Sequence, residues 1–393
     1  MSFNGSFWTK RRALAGGSAA VVLAGGVVAG AALSGHSAVP AAAQHPASSK
    51  SVRLAASTCS GPAGAAYVAD AGWDGFSAIN TANCSIIQTY NVGDPPVPGD
   101  PGDQNYSSTD EAVALYQNTL YFADTGNDTV SVIDASTLDP KNYNPTETDI
   151  HVGFNPTYLA VTPNGSQLWV ADTGPQTAPA SPTDIKVIST ATNKVTATLR
   201  LPSAPAQIAF SPSGASAYVT TAKGLVVYNT TTDVAAGSIG GLGNPHGVVV
   251  SPDGGTVYVT NTTQNVVEVI DAASNRVTGT IPVGQMPWQM ALSSNGATLY
   301  VANPDSDSVS VISTKSGTVT HTVSLAGGPD TLALTPDGSQ LWVGGLTSAI
   351  VSVLSTANLN VAGSVNLGGE GANSGDGFEP TGMALTATPT VGS

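Results

Sequence analysis

The side chains best equipped for chemistry recur at one place in a repeat. Each follows a Pro, or stands where that Pro would be, at the head of an apolar alternation: Asp110, Thr157, Ala206, His246, Trp288, Asp330 and Thr381. One position further on stand Glu111, Tyr158, Gln207 and Gln289. Asp110, Asp330 and His246 form an oxygen-and-nitrogen donor set suited to a divalent cation. With such a cation, the site would polarise an ester or lactone, and His246, Asp330 or Glu111 would act as acid or base. Trp288 offers a flat apolar face for a sugar ring, with Tyr158 and Gln289 beside it as hydrogen-bonding groups. A plainer role is open to all of them: Asp and His at a strand entrance satisfy loop N–H groups, and Trp288 fills space. A second polar set, Asp124, Asp172, Asn261 and Asn303, closes the next strand of four of the units. The turns Asp305-Ser306-Asp307 and Asp124-Thr125-Gly126-Asn127-Asp128 are oxygen-rich enough for a structural Ca²⁺, but lack the full EF-hand pattern and read more simply as Asx-turns. No Gly-x-Ser-x-Gly elbow or His-Glu-x-x-His helix occurs. His151 and His321 stand elsewhere in the repeat and do not join His246.

The repeat dictates what positions these groups. Its clearest copy runs from Pro245 through the turn Pro252-Asp253-Gly254 to Tyr258-Val259-Thr260-Asn261, and on to Val266–Asp271. Similar units begin at Pro156, Pro205, Pro287 and Pro329, and a weaker one covers 110–134. The aromatic of the second strand falls at Tyr67, Tyr121, Trp169, Tyr218, Tyr258, Tyr300 and Trp342, at spacings of 54, 48, 49, 40, 42 and 42. Periods of this size mean propellers, solenoids or arrays. Short β-branched strands without helical periodicity select the propeller. Each unit reads as four strands, A to D. In the unit at Pro287 the expected spans are 288–293, 298–302, 308–312 and 318–323. The Asn-Gly and Asp-Gly pairs between A and B supply the positive φ of a tight hairpin.

The two ends of the chain explain closure. The first unit has strands B to D near 65–70, 75–79 and 85–90 but no strand A, whereas Pro380-Thr381-Gly382-Met383-Ala384-Leu385-Thr386 reads as a strand A with nothing after it. The expected fold is therefore an all-β, seven-bladed β-propeller of four-stranded blades, closed by the C-terminal strand joining the N-terminal blade. Strand order puts the D–A and B–C loops on one face. Insertions at 94–108, 173–183 and 367–379 lie on that face, and one near 138–149 on the other.

The stretches Tyr258-Val259-Thr260-Asn261 and Tyr300-Val301-Ala302-Asn303, with the Pro-Asp-Gly turns, resemble the YVTN β-propeller repeat across about 60–387. The resemblance implies a surface-layer or secreted bacterial propeller, and more distantly a likeness to lactonase and streptogramin lyase propellers. The matching residues are structural, so it implies a fold more than a chemistry.

Export is legible at the N-terminus. Lys10, Arg11 and Arg12 precede an uncharged apolar stretch over 13–33, and small residues end at Ala43. That layout is a signal peptide over 1–43, by the general or the twin-arginine route, or else an uncleaved anchor. Residues 44–57 read as a flexible leader, 58–388 as the propeller and 389–393 as a tail. Charged residues make up only 10% of the chain, against about 25% in ordinary proteins. Losing 1–43 removes three basic and no acidic residues and takes the net charge from −14 to −17. That excludes nucleic acid as a partner and leaves membrane contact only through an uncleaved N-terminus. Export permits a disulfide between Cys59 and Cys84, which both fall near the A–B/C–D face of the first blade; the alternative is two separate buried thiols. The expected function is binding or scaffolding at the cell surface or outside it, toward a surface protein, a wall polymer or a small ligand. The alternative is a lactonase-like hydrolase or lyase that uses a divalent cation at the channel mouth.

Overall fold

A computed structural model describes residue 59 and residues 61–70, 75–92, 110–174, 183–368 and 380–387, which lie within the compact unit Thr58–Ser393. The chain forms seven four-stranded antiparallel sheets. We number them as blades in chain order, with strand A innermost. Blade 1 is the split one: its strand A, Pro380–Thr386, pairs with its strand B, Ala65–Asp70, followed by Gly75–Asn80 and Ser85–Asn91. Blades 2 to 7 begin with strands A at Asp110–Tyr116, Pro156–Val161, Pro205–Phe210, Pro245–Val250, Met290–Leu292 and Pro329–Leu334. Each strand A touches the strand A of the next blade all the way round, so the ring closes. Closure removes the two open sheet ends that an unclosed array would expose.

The core follows from strand alternation. Among the described residues seven apolar clusters occur, each shared by two neighbouring blades. The aromatic of each strand B sits in one of them: Tyr67, Trp169 and Trp342 are fully buried. Phe76 stacks on Phe122 of the next blade with ring centroids 4.5 Å apart. Burying one such large side chain contributes about 1.5 to 3 kcal/mol. The blades are therefore held to one another by the same alternation that makes each sheet.

The A–B turns differ in detail from the expected tight hairpins, in which the Asn-Gly and Asp-Gly pairs supply positive φ. Only the glycines, Gly165, Gly214, Gly254, Gly296 and Gly338, take positive φ, between 70° and 73°. The Asn, Asp or Ser before each glycine instead uses its side chain: Asn164 accepts the Ser166 N–H at 3.0 Å, Ser213 the Ala215 N–H at 3.3 Å, and Asp253 the Gly255 N–H at 2.9 Å. Pro at the second turn position in four of the five, and glycine at the fourth, whose N–H returns to the first carbonyl at 2.8 Å in the Ser251 turn, fit a type I turn with a left-handed exit.

Strand A of blade 6 covers only Met290–Leu292, shorter than the expected 288–293. Met286 has φ of 56° just ahead of Pro287, and the ladder resumes irregularly through Trp288 N–H to the Ala302 carbonyl, 2.8 Å. The insertion near 138–149 leaves at the expected A–B/C–D end, but its last residues are already strand D of blade 2, Glu147–His151. Its middle runs along the rim. Leu138 joins the cluster around Phe76 and Tyr90, and the Tyr143 carbonyl accepts the N–H of Asn91, the last residue of strand D in blade 1, at 2.8 Å. The Cys59–Cys84 disulfide is present, with Cα atoms 5.4 Å apart, and both cysteines pack into the cluster between blades 1 and 7.

Candidate functional site

The strand A entrances bring two of the chemically interesting residues into direct contact. His246 of blade 5 and Trp288 of blade 6 stack with ring centroids 3.3 Å apart and planes 22° from parallel. Both are half-buried. Their backbones are fixed from the neighbouring blade: Thr220 donates its hydroxyl to the His246 carbonyl at 2.6 Å, and Thr260 to the Trp288 carbonyl at 2.9 Å. Sequence reading passed over these two threonines, although both occupy the fifth position of strand B, where other blades carry Ala or Gly. A small residue is needed there because the next strand A passes close by. Gly247 obeys the same constraint, since a Cβ on it would run into the Trp288 carbonyl oxygen. Asp330 is buried at the blade 7 entrance, and Thr381 reaches the Ala69 carbonyl at 3.4 Å. Asp110 begins strand A of blade 2, but the side chains of Asp110 and Glu111 lie outside the described residues, as do 94–108, 175–182 and 369–379.

Where it carries glutamine, the next position along strand A fastens blades together. Gln207 donates its Nε2 to the Tyr158 hydroxyl at 2.9 Å, and its Oε1 accepts the Val248 N–H at 2.6 Å, which ties blades 3, 4 and 5. Burial pushes the Tyr158 hydroxyl above its ordinary pKa. Gln289 Oε1 accepts the Thr331 hydroxyl at 3.1 Å, tying blade 6 to blade 7. Between blades 5 and 6 glycine replaces the glutamine, and the His246–Trp288 stack takes the place of the amide link.

The strand B ends are buried caps. Asp124 accepts the N–H groups of Gly126 and Asn127 at 3.1 Å, and Asp172 that of Gly174 at 3.1 Å. Asn261 accepts those of Thr263 and Gln264 at 3.2 and 3.1 Å, and Asn303 donates to the Ser308 carbonyl at 3.1 Å. The loop entering the blade crosses directly over three of these caps, at Gly153, Gly243 and Gly284, where a Cβ would strike Asp172, Asn261 and Asn303 in turn. The oxygen-rich turns serve likewise: Asp128 accepts the Asn155 N–H at 3.0 Å and Asp307 the Gly328 N–H at 2.9 Å. Among the described residues no group of three or more His, Cys, Asp or Glu side chains is arranged to hold a metal ion.

One cap is electrically unusual. Burial raises the Asp172 pKa to about 6, helped by Asp184 and Asp128 and opposed by the Gly174 N–H and Lys186. The folded state then holds this proton more tightly than the unfolded chain. Its contribution to stability is greatest below about pH 4 and is lost as pH rises to about 6. The full shift corresponds to about 3 kcal/mol, and screening at the loop surface reduces that to about 1 to 2 kcal/mol. Asp172→Asn lacks the slope. Its stability relative to the unmodified protein should rise by about 1 to 2 kcal/mol between pH 4 and pH 7 in urea titrations. A constant difference across that range would show that Asp172 titrates normally.

Comparison with known proteins agrees with this geometry. The choice-of-anchor I domain family matches residues 63–307. The PE-PGRS family protein PE_PGRS18 of Mycobacterium tuberculosis is 54% identical over 44 residues, which span 11% of this chain and only 9% of that protein. Three solved structures share the architecture. Kuenenia stuttgartiensis hydrazine synthase aligns with a TM-score of 0.60 at 18% identity, over 73% of this chain and 90% of that one. A functionally unknown protein from Desulfotomaculum acetoxidans DSM 771 aligns at 0.65 and 16%, over 83% and 99%. The Myceliophteria thermophila Cps50 (Swd1) β-propeller domain aligns at 0.54 and 11%, over 65% and 86%. At such identities these three speak to fold alone. The family match is of another kind: it runs from the first strand of the split blade into blade 6, over more than half of the sequence, and the chain belongs to the choice-of-anchor I domain family.

Proposed function

We propose that this chain is an exported, surface-associated binding module that holds a wall polymer at the D–A face of the propeller. The observation that carries the reading is the His246–Trp288 stack. It replaces the amide link used elsewhere in the ring, it shortens strand A of blade 6, and it leaves a half-buried indole beside the channel. A non-glycine residue in left-handed conformation at Met286 holds that distortion, and such backbone is commonly kept at binding sites. The basic-apolar-small leader, the likeness of the Tyr-Val-Thr-Asn repeats to surface-layer and secreted propellers, and a family named for a choice of anchor all support a location outside the cell. Asp110, Tyr158, Gln289 and Asp330 complete the proposed mouth. The hydrolase or lyase alternative would need a cation held by Asp110, His246 and Asp330, and has no specific observation in its favour.

The test is co-sedimentation of the purified protein with isolated cell-wall polysaccharide. Trp288→Ala should weaken retention about tenfold or more, in keeping with a lost aromatic anchor. His246→Ala should weaken it less, by freeing the indole to turn. Equal retention of Trp288→Ala and the unmodified protein, with the far-ultraviolet spectrum unchanged, would remove the mouth from consideration.

A further inference from the structure

The rim of the propeller carries its own signal. Among the described residues each blade ends in a strand D that pairs with another strand on one side only. In six blades that strand is broken by a register shift against strand C, as between Val187 and Ile188 or between Val269 and Ile270. In three of them the extra residue is a threonine, Thr196, Thr278 or Thr320, whose hydroxyl donates to a strand C carbonyl at 3.1 Å. A bulge twists an edge and spoils it as a template, which is how exposed edges are kept from pairing with other chains. Blade 2 is the exception. Its strand D, Glu147–His151, pairs residue for residue with Thr129–Ile133 and carries no bulge.

Charge singles out the same blade. Between the end of strand B and the end of strand D, blade 2 holds Asp128, Asp134, Asp139, Glu147 and Asp149 against one cation, Lys141. No other blade has more than two acids in that half, and blade 3 has a basic excess from Lys186, Lys194 and Arg200. Thr148, Asp149 and His151 are exposed on the strand itself, and Asp149 is braced by the Ser131 hydroxyl at 2.8 Å. We propose that the outer edge of blade 2 accepts an extended basic segment of a partner protein as a fifth strand. Main-chain hydrogen bonds along Glu147–His151 supply the docking, and lysines or arginines at alternate positions meet the acids on one face of the sheet. The site is separate from the channel mouth and does not depend on it.

Three fluorescein-labelled decapeptides test this against the full chain by fluorescence anisotropy: alternating Lys-Thr, the same sequence methylated at every main-chain nitrogen, and alternating Glu-Thr. The Lys-Thr peptide should bind at least tenfold more tightly than either of the others, because the N-methylated peptide keeps the charge but has no main-chain N–H donor. It should also slow amide exchange across Thr148–His151 several-fold and in no other strand D. Asp149→Lys should cost at least tenfold in affinity. A one-residue threonine insertion after Thr148, which recreates the bulge of the other blades, should abolish binding while the far-ultraviolet spectrum stays the same. Equal binding of the N-methylated and unmethylated Lys-Thr peptides would reduce the effect to charge and overturn the proposal. So would exchange protection elsewhere on the rim, or dimerisation of the chain without peptide that Asp149→Lys abolishes, which would assign the edge to a second copy.

Discussion

Reduction of Cys59–Cys84 should destabilise the propeller by about 3 kcal/mol and should open blade 1 before any other blade. The bond closes a loop with a sequence separation of 25 and so removes freedom from the unfolded chain. Its position adds a second effect. The chain cannot form a closed ring unless Pro380–Thr386 finds Ala65–Asp70, and that pairing joins the two extremes of the fold. Cys59 lies just ahead of this strand and packs on blade 7, where a Cβ at Gly363 would strike its sulfur. The disulfide thus pins the N-terminal blade against its C-terminal neighbour at the seam. Two variants separate the effects. Cys84→Ser loses both the crosslink and the packing. Gly363→Val keeps the crosslink but overpacks the seam, at a cost of roughly 1 to 3 kcal/mol. Native-state hydrogen exchange should show Ala65–Asp70 and Pro380–Thr386 losing protection first in each case, with Pro205–Phe210 on the far side unaffected. If protection falls evenly over all seven blades, the seam is not the weak point and the disulfide acts only through the unfolded chain.

The seam was readable in the sequence because closure leaves a countable mark: a unit without a strand A at one end and a strand A without a unit at the other. The turns were readable for a similar reason, since Pro and Gly act through their own backbones. What could not be read depends on partners supplied by another blade. Gln207 looks like an ordinary polar residue until Tyr158 and the Val248 N–H are placed on either side of it. His246 and Trp288 were visible as equivalents in the repeat, but equivalence places them one blade apart and gives no hint that the rings touch. The shortened strand at Met290–Leu292 follows from that contact and from Met286, whose left-handed conformation no local rule assigns to methionine. The missing bulge in blade 2 is hidden for another reason. A bulge is a mismatch between two strands, so neither strand carries it alone.

Comparing blades with one another exposes a pairing rule and leads to a second large effect. The end of strand B and the third residue of strand C lie side by side in every blade. In blade 5 they are Asn261 and Glu268, both buried, and the Asn261 Nδ2 donates to Glu268 Oε1 at 3.0 Å. In blade 3 they are Asp172 and Lys186, with Asp184 opposite Asp172 and bound to Lys186 at 2.9 Å. Blade 6 uses the neutral pair Asn303 and Ser310, joined at 3.0 Å. In these three blades a donor on one strand faces an acceptor on the other. Glu268→Lys breaks the rule by setting a buried ammonium against the amide donor of Asn261. It should cost roughly 3 kcal/mol or more, because the buried ammonium meets a donor where the carboxylate met one as an acceptor. Adding Asn261→Asp restores an acceptor and recreates the blade 3 pair. Val266→Asp, opposite position 261, then completes it, since Asp184 holds that place in blade 3. The double variant should recover about half of the loss and the triple variant most of it, with a coupling energy above about 1 kcal/mol in the double-mutant cycle. Urea unfolding of the single, double and triple variants measures this directly. Strict additivity of Asn261→Asp and Glu268→Lys would mean that each blade tolerates its polar pair independently, and that the complementarity across blades 3, 5 and 6 has no energetic content.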